Sequence, residues 1–569
     1  MYFVEKNKIS DTALNVLQKR YFLPTETRWE EVVKRTTDHV LKNEKDLEQK
    51  QLTFEMIRNR YFIPNSPCLV NSGKENGGLA ACFVVDFPDT IEGIYKTKLD
   101  FALVAKKGGG CGTTLSKLRP ENSRVNGSSH GFAGGPVKFY DTVSHDMDAM
   151  TQSGFRPMAM MGTMSIYHPD IEKFINAKTE EGKLANSNIS VMIPDSFMEN
   201  FCNGKTAFTL RFPVDKNPED AQVTVKSNPE KIFNMVCENA WQNGEPGILF
   251  EDRINNNSPY KYSKQKIWAT NPCGEEPLPP NGVCNLGSLD ISKFLDEDNQ
   301  IDLRLLEIAT RLSIRFLDRV VDETFYPTKE IKKWALENRP IGLGIMGLAD
   351  LYLKLGITYG DEKSLEVLEF ILSFIYQIAK DESIKLGIEN GIPKACRNFK
   401  NPRRNVTLLS IAPTGTISIL AGCSNGIEPI FSEITIRKDG TGTYNLEHPF
   451  FDKPHFKCAV STNGATEVSW KEHIDILTSA QKFVDAGVSK TINFPQMTKK
   501  ETIKKAFIYA WETGIVKGLT IYRNGSRKEE VLSPKNLRKD KCPLCGAELI
   551  SEGGCKHCSE CEFQVCEIG

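Results

Sequence analysis

The stretch Asn271-Pro272-Cys273-Gly274-Glu275, with Cys284 eleven residues beyond Cys273, is the most informative part of this sequence. Pro272 disfavours a helix at this point, and Gly274 permits close approach of the backbone. Alternate side chains of an extended segment share one face, so Asn271, Cys273 and Glu275 are predicted to project into one pocket. A carboxylate beside a thiol can act as a general base, and an amide can orient a substrate hydroxyl. Read alone, the same residues also fit an ordinary loop with a buried cysteine.

Composition sets the class of protein. The 569 residues are 40% hydrophobic and 25% charged, and 72 lysines and arginines nearly cancel 73 aspartates and glutamates. This balance gives no electrostatic signature for nucleic acid or an anionic membrane. No apolar run approaches the roughly eighteen residues of a membrane span, and the polar start is unlike a signal peptide. A cytoplasmic globular protein is therefore expected.

The pattern along the chain predicts four regions. Residues 1–60 have helical periodicity, with Ser10 capping the first helix. From 61 to 525, strand-like runs such as Leu79–Val85 and 405–411 alternate with helices such as 366–379 and the one between Asn228 and Gly244, which predicts one α/β domain with a largely parallel sheet. Residues 526–541 are charged and read as a linker, and 542–569 form a small cysteine-rich module.

Segments throughout the chain carry a family resemblance. They are Asn65-Ser-Pro-Cys-Leu, Leu79-Ala-Ala-Cys82-Phe, Gly108-Gly-Gly-Cys-Gly with Leu118-Arg-Pro, Met160-Met-Gly-Thr with His168-Pro-Asp, Arg339-Pro-Ile-Gly-Leu-Gly, Ala412-Pro-Thr-Gly-Thr-Ile-Ser418 and Gly518-Leu-Thr-Ile-Tyr-Arg-Asn-Gly-Ser526. Together with the Cys273 segment, and in this order, they resemble the ribonucleotide reductases. The resemblance implies a ten-stranded α/β barrel with a central finger loop around Cys273, preceded by the helical region and followed by a zinc-ribbon-like module.

The resemblance also assigns catalytic roles. Cys273 would carry the transient thiyl radical that removes the 3′ hydrogen of a ribonucleotide. Glu275 would take the 3′-hydroxyl proton, and Asn271 would hold substrate and carboxylate in register. Cys82 and Cys284 would supply two electrons and end as a disulfide, although Cys82 read alone is an ordinary core cysteine.

Binding sites follow from the same likeness. Small residues at a strand-to-helix turn, Pro413, Thr414, Gly415, Thr416 and Ile417, suit phosphate groups. Ser66, Ala81 and Gly110 would complete the nucleotide pocket. Asp89 and Arg119 match a specificity site for a deoxynucleotide or ATP effector, and 153–161 match the loop that relays effector identity; a solvated ion pair is the plain alternative.

The sequence also indicates a class of reductase. No glycyl-radical segment precedes the C-terminus, and Thr520-Ile-Tyr522-Arg has one tyrosine where the class with a radical-generating partner subunit has two in tandem. This resembles the adenosylcobalamin-dependent class. No Asp-x-His-x-x-Gly segment is present to supply a lower axial ligand, so cobalamin is implied by resemblance alone.

Six of the sixteen cysteines lie between Cys542 and Cys566. Two C-x-x-C pairs, Cys542 with Cys545 and Cys555 with Cys558, have the spacing of a tetrahedral Zn²⁺ site, which would supply the folding energy of so small a module. Cys561 and Cys566 resemble the tail pair that re-reduces the active-site disulfide with electrons from a thioredoxin- or glutaredoxin-like protein. Cys558 with Cys561 is the alternative second zinc pair.

Two other functions fit parts of the sequence. One is the catalytic subunit of a reductase that needs a metal-containing partner, and the other is a zinc-ribbon nucleic-acid-binding protein. The sequence leaves open whether the substrates are di- or triphosphates and whether the chain acts as a monomer or a homodimer.

Overall fold

The computed structural model describes residues 2–125, 129–152, 156–180, 182–439, 442–448, 453–461, 466–526, 532–534, 549–552, 555–560 and 564–566. Within these ranges, no helix is long and apolar enough to cross a bilayer.

Helices open the chain, as the periodicity predicted. The Ser10 side chain accepts a hydrogen bond from the backbone N–H of Ala13 and so caps the first helix. A later helix begins after Asn228, which caps it, and ends at Gly244 in the left-handed conformation (φ 82°). The helices are α1 Asp11–Arg20, α2 Trp29–Val40, α3 Leu47–Arg58, α4 Ser66–Asn71, α5 Ile91–Lys106, α6 Pro136–Asp148, α7 Ile171–Ile175, α8 Asp195–Cys202, α9 Pro229–Asn243, α10 Glu251–Asn256, α11 Leu303–Glu323, α12 Lys329–Asn338, α13 Leu348–Leu355, α14 Glu362–Asn390, α15 Ile417–Ala421, α16 Trp470–Gln481 and α17 Lys500–Glu512.

The strands are short and mostly buried. They are β1 Phe62–Pro64, β2 Cys82–Val84, β3 Gly110–Thr114, β4 Thr151–Gln152, β5 Arg156–Pro157, β6 Met160–Ser165, β7 Ser187–Ile193, β8 Phe208–Phe212, β9 Val223–Ser227, β10 Gly247–Phe250, β11 Ala269–Thr270, β12 Pro277–Leu278, β13 Gly282–Asp290, β14 Ile341–Met346, β15 Ile434–Asp439, β16 Gly442–Glu447, β17 Thr491–Phe494, β18 Gly518–Arg523, β19 Leu532–Pro534, β20 Leu549–Glu552, β21 Cys555–Cys558 and β22 Gln564–Cys566.

Ten of these strands form one mixed sheet. Its order is β1-β13-β2-β3-β6-β7-β10-β18-β17, and β14 also pairs with β13. Six of the nine pairings are parallel, which agrees with the expected largely parallel sheet. The antiparallel pairings are those of β1 and β2 with β13 and of β10 with β18. The helices cover the sheet, as in other α/β domains.

Segment 405–411, predicted as a strand, is not a regular one. Its backbone alternates between two neighbours through isolated bridges, from Leu409 to Leu343 of β14 and from Ile411 to Val488. Ile411 N–H donates to the carbonyl of Gly487, and Ala486 N–H donates to the carbonyl of Leu409. The segment thus links β14 to the chain just before β17, although it makes too few ladder bonds to count as a strand.

The predicted helix at 366–379 is the central part of a longer one. Asp361 caps α14, which continues through Gly387 to Asn390 and packs along α11. The smaller sheets share no strand with the main one, and the last of them, β20-β21-β22, lies in the cysteine-rich tail.

Candidate active site

Two cysteines face each other on adjacent strands. Cys82 in β2 and Cys284 in β13 are direct partners in an antiparallel pairing, and both are buried. Directly opposed residues of such a pair have Cβ atoms about 4.5–5.5 Å apart, close to the separation that a disulfide needs. The fold therefore brings together the two thiols that the sequence proposed as a redox pair.

The loop between β11 and β12 differs from the extended segment that was expected. Residues 272–275 form a tight turn, with Gly274 at φ 84°. Asn271 closes the turn twice, because its backbone N–H donates to the carbonyl of Glu276 and its side-chain oxygen accepts from the N–H of Glu276. The prediction of an extended conformation is thus wrong, because the reversal requires a left-handed glycine.

This loop is hydrogen-bonded to the main sheet. Asn188 of β7 donates to the carbonyl of Pro272 at 2.8 Å, and Thr163 of β6 donates to the carbonyl of Trp268 at 2.7 Å. On the other side, Gly487 N–H and the Ser410 hydroxyl both donate to the carbonyl of Glu275, at 2.7 and 3.1 Å. Two adjacent strands of the sheet and two segments outside its strands thus hold the turn in place.

Despite the turn, the three predicted side chains share a cavity. The Asn271 amide donates to the Cys82 sulfur at 3.1 Å, and the Cys82 thiol lies 3.7 Å from Glu275 Oε1. Cys273 borders the same cavity and is exposed to it. An amide, two thiols and a carboxyl group therefore meet at one end of the cavity.

Burial determines the protonation states of Glu275 and Cys82. It raises the pKa of Glu275 from 4.5 to about 7, because little water reaches the carboxylate. Burial also raises the pKa of the Cys82 thiol well above 9, and the charges of Glu275, Glu276 and Cys273 raise it further. At neutral pH the cysteine pair is held as thiols, and the Glu275 carboxyl lies near its titration midpoint, where a general base is most effective.

The cavity has a volume of about 370 Å³, which suits a small polar ligand. Every residue that the sequence proposed for the nucleotide pocket borders it: Ser66, Ala81, Gly110, Pro413, Thr414, Gly415, Thr416 and Ile417. A Cβ on Gly110 would lie 2.9 Å from the Pro272 ring, so glycine there lets the turn approach β3. Cys284 does not border the cavity and lies behind Cys82.

The turn at 413–417 is shaped by one strained residue. Thr414 has φ 55°, and its hydroxyl accepts from the backbone N–H of Gly426 at 2.7 Å. This arrangement leads directly into α15 and faces the cavity.

Two residues of the N-terminal helical region reach the cavity without having been predicted. The guanidinium of Arg20 donates to the Thr416 hydroxyl at 3.2 Å, and Tyr21 shares a 2.7 Å hydrogen bond with Ser66. Arg20 is the cationic side chain that borders the cavity. No motif signals it, because it ends an ordinary amphipathic helix nearly 400 residues from the turn that it contacts.

Cys273 also borders a second, smaller hollow of about 30 Å³. Gly274, Gly518, Thr520 and Ser190 contribute to its walls. A Cβ built on Gly274 would meet no atom within 4 Å, so the space beside Cys273 is open there. Cys273 therefore borders both hollows.

Asp89 and Arg119 form an ion pair away from the cavity. Arg119 Nε lies 2.7 Å from Asp89 Oδ2, and both side chains are about one-quarter exposed. Of the relay segment 153–161, residues 153–155 lie outside the described residues, and β6 begins at Met160.

The cysteine-rich tail is described only in part. Cys542, Cys545 and Cys561 lie outside the described residues, while the backbones of Cys555 and Cys566 are partners in the pairing of β21 with β22. The Cys558 sulfur accepts a hydrogen bond from the N–H of Glu560 at 3.4 Å. Among the side chains that are described, no group of three or more His, Cys, Asp or Glu residues is arranged to hold a metal ion.

Comparison with known proteins places this geometry in a family. The profile described as "Ribonucleotide reductase, barrel domain" matches residues 80–403, 397–453 and 451–522, and that described as "Ribonucleotide reductase, all-alpha domain" matches residues 7–77. A vitamin B12-dependent ribonucleoside-diphosphate reductase of Mycobacterium tuberculosis is 34% identical over 98% of this chain and 84% of its own. One of Thermoplasma acidophilum is 36% identical over 84% of this chain, which spans 66% of that relative's length. The class Id ribonucleotide reductase alpha subunit of Actinobacillus ureae has the same fold, with a TM-score of 0.75 at 21% identity over 91% of this chain and 97% of its own.

Proposed function

The chain belongs to the ribonucleotide reductase family, and we propose that it converts ribonucleoside diphosphates to 2′-deoxyribonucleotides by thiyl-radical chemistry that depends on adenosylcobalamin. One observation carries the proposal. Asn271, Cys273 and Glu275 meet the Cys82 sulfur at the end of a nucleotide-sized cavity, and Cys284 lies directly behind that sulfur. The two relatives are named vitamin B12-dependent ribonucleoside-diphosphate reductases, which supports the proposed class and substrate.

The first half of the reaction uses the turn. A thiyl radical on Cys273 abstracts the 3′ hydrogen of the ribose, and the Glu275 carboxylate takes the 3′-hydroxyl proton. With its pKa raised to about 7, Glu275 is a strong enough base for this transfer and still ionises at neutral pH. Asn271, fixed by its two bonds to Glu276, holds the base and the Cys82 thiol in register.

The second half uses the cysteine pair. The 2′ oxygen leaves as water, and Cys82 and Cys284 together supply two hydrogens and become a disulfide. Cys82 borders the cavity and is therefore the thiol that meets the 2′ position. Cys273 then returns the hydrogen to the 3′ carbon, which completes the deoxyribose and regenerates the thiyl radical on Cys273.

We propose that the substrate phosphates bind to the part of the cavity bordered by residues 413–417. The backbone N–H groups of the turn at 413–417 suit phosphate oxygens, and Ser66, Ala81 and Gly110 border the remaining length. Arg20 adds the positive charge that a diphosphate needs in a chain whose net charge is only −1.

The open space beside Gly274 is the side from which we propose that the cofactor acts. Adenosylcobalamin, when bound, supplies the organic radical that oxidises a cysteine thiol. Cys273 borders the small hollow there, whose walls include Gly518 and Ser190 together with larger residues such as Met161 and Lys490. Gly274 and Gly518 would lie on the side of Cys273 from which the radical supplied by the cofactor reaches the thiol.

The sheet is proposed to close as a ten-stranded barrel around the turn. The bridges from β14 through 405–411 to Val488 support closure, as do the hydrogen bonds that hold the turn from opposite sides. Asp89 and Arg119 are proposed to bind a deoxynucleotide or ATP effector, since an ion pair that is one-quarter exposed can open toward a ligand.

The tail is proposed to combine a zinc site with an electron shuttle. Cys542, Cys545, Cys555 and Cys558 would bind Zn²⁺, and the N–H bond from Glu560 to the Cys558 sulfur suits a thiolate ligand. Cys561 and Cys566 would pass electrons from a thioredoxin- or glutaredoxin-like protein to the active-site disulfide. We place the enzyme in the cytoplasm, where such reductants act.

An anaerobic assay tests the proposal. The purified chain, with adenosylcobalamin, dithiothreitol and each ribonucleoside di- or triphosphate in turn, is expected to form deoxynucleotide from the diphosphates without a second protein. Activity only after addition of a metal-containing partner subunit would instead indicate the other class. No deoxynucleotide with either supplement would overturn the assignment, and salt-sensitive DNA binding by such an inactive chain would indicate the zinc-ribbon alternative.

A further inference from the structure

Glu276, the residue after the proposed base, has no role in the reaction described above. Its side chain is fully buried, and neither carboxyl oxygen makes a well-directed hydrogen bond. An unpaired buried carboxyl group costs several kcal/mol, so its retention calls for an explanation. The turn itself does not need the Glu276 side chain, because the two hydrogen bonds to Asn271 are made by the backbone N–H and carbonyl of Glu276.

The Glu276 carboxyl lies behind the cysteine pair, on the side away from the nucleotide cavity. It does not border the cavity, whereas Glu275 does. It approaches Cys284 and Ser410 closely enough for each to lower its pKa. Gly342 of β14 leaves room for it, since a Cβ there would lie 2.9 Å from Glu276 Oε1.

The surroundings of Glu276 favour its protonated form. Burial raises its pKa to about 8, with a further contribution from the charge of Glu275. The other titratable groups that face it are Cys82, Cys284, Tyr260, Asp485 and Lys517. The Lys517 side-chain nitrogen donates hydrogen bonds to the backbone carbonyls of Asp485 and Ala486, which hold it in place. Glu276 is therefore a buried acid next to a sulfur atom.

The accessibility of the two sulfurs differs, which decides the order of disulfide reduction. Among the described residues, Cys82 borders the cavity and Cys284 does not, so a reductant that enters by the cavity meets Cys82. Thiol–disulfide exchange begins with attack of a thiolate on one sulfur, and the other sulfur departs as a thiolate. Cys284 is then the leaving group. Burial and the Glu276 charge both raise the pKa of Cys284 well above 9, so a bare Cys284 thiolate is strongly disfavoured.

We propose that Glu276 is the general acid that protonates Cys284 when the Cys82–Cys284 disulfide is re-reduced, an inference that rests on the proposed function. A thiolate of an external dithiol attacks Cys82; a mixed disulfide forms, the Cys82–Cys284 bond breaks, and Cys284 takes the proton of the Glu276 carboxyl. The second thiol of the reductant then attacks the mixed disulfide, which releases Cys82 and oxidises the dithiol by two electrons. The protons that the dithiol loses restore the Cys82 thiol and the Glu276 carboxyl.

The test follows the disulfide directly and needs neither nucleotide nor cobalamin. The full chain is oxidised with diamide and mixed with dithiothreitol from pH 6 to 9. The reaction is quenched by acid and alkylation, and the Cys82 and Cys284 peptides are quantified by mass spectrometry. Glu276→Gln keeps the shape of the side chain and removes the acid. Glu467→Gln is the matched control, because Glu467 is likewise a glutamate whose pKa is raised by burial, although it is only partly buried and lies beside Cys458.

The wild-type rate, divided by the fraction of dithiothreitol present as thiolate, is expected to fall as the pH rises through the pKa of Glu276. Glu276→Gln is expected to be about a hundredfold slower at pH 7, at the lower end of what general acids contribute, and to lose this falling limb. Glu276→Asp should retain it. Equal rates for the wild type and Glu276→Gln at every pH would overturn the proposal.

A single-turnover measurement separates this inference from the proposed function. Pre-reduced Glu276→Gln, given adenosylcobalamin and substrate but no reductant, is expected to form as much deoxynucleotide as the wild type. If only the variant loses this burst, Glu276 acts in the deoxygenation and the proposal is wrong. Absence of the burst from the wild type would instead overturn the proposed function, while the ratio of the disulfide reduction rates would still decide the role of Glu276.

Discussion

Replacing Glu275 by glutamine is expected to remove activity and to stabilise the protein at neutral and alkaline pH. The side chain is 2% exposed, and its Oε2 has no hydrogen-bond partner. Burial raises the pKa of this carboxyl from 4.5 to about 7, so the folded protein pays to hold it ionised. At about 1.4 kcal/mol per pKa unit, the cost is about 3 kcal/mol once the group is fully charged.

The sign follows from proton linkage. Because the folded-state pKa is higher than the unfolded one, the free energy of unfolding is greatest while the carboxyl is protonated. It falls as the pH rises from about 4.5 to about 7. Glutamine does not titrate, so the variant escapes this loss. The stability difference between Glu275→Gln and the wild type should be small at pH 5 and close to about 3 kcal/mol at pH 8.

Thermal unfolding from pH 5 to pH 8.5 measures this difference. With an unfolding entropy of about 2.1 cal/mol/K per residue, 3 kcal/mol corresponds to about 2 to 3 °C in Tm for a chain of this size. Glu366→Gln serves as the control, because that side chain is 60% exposed on α14 and its replacement should change stability by less than about 0.5 kcal/mol. The reasoning would be refuted if the Tm difference between Glu275→Gln and the wild type were equal at pH 5 and pH 8. It would also be refuted if the wild type were more stable than Glu275→Gln at pH 8.

Four further outcomes are expected. Cys273→Ser should abolish turnover while nucleotide affinity, measured by calorimetry, stays within about twofold, since the hydroxyl hydrogen is too strongly bound to give the radical; near-normal product would contradict the role of Cys273. Cys284→Ser should still exchange the 3′ hydrogen of substrate but form little deoxynucleotide, and normal yield would exclude Cys284 from the redox pair. Arg20→Ala should raise KM at least tenfold for a diphosphate, with less effect on kcat, because it removes a charge-assisted phosphate contact of about 1.5–3 kcal/mol; an unchanged KM would show that Arg20 serves only to anchor Thr416. A chain truncated after Ser559 should keep one zinc and its turnover with dithiothreitol but lose turnover driven by thioredoxin, and loss of zinc would indicate that Cys561 is a ligand.

Local signals predicted the parts of the fold that depend on neighbouring residues. Ser10 and the pair Asn228 and Gly244 set helix ends through hydrogen bonds within one turn, so their sequence positions suffice. Segment 405–411 was predicted as a strand because its apolar run is typical of one. Its actual path depends on two partners distant in sequence, near Leu343 and Val488, which no local pattern encodes.

The same distinction explains the site. The residues around Cys273 carry a motif and were predicted, although their turn was not, because a single left-handed glycine reverses the chain where alternation implies extension. Arg20 was missed because only tertiary packing brings the end of α1 to Thr416. Glu276 was missed because the prediction considered only the alternate residues Asn271, Cys273 and Glu275, which were expected to share one face.

The position of Glu276 has a consequence for the order of proton transfers. Two buried carboxyl groups in consecutive residues cannot both be ionised cheaply, and the charge of Glu275 raises the pKa of Glu276. When Glu275 is ionised and ready to take the substrate proton, Glu276 is therefore held in its acid form on the far side of the sulfur pair. Once Glu275 has taken up a proton, this electrostatic constraint on Glu276 weakens, and donation to Cys284 becomes easier. The turn thus gives one carboxyl to each face of the cysteine pair. Glu275 has the lower pKa and ionises first, and its charge then keeps Glu276 protonated until a proton is needed at Cys284.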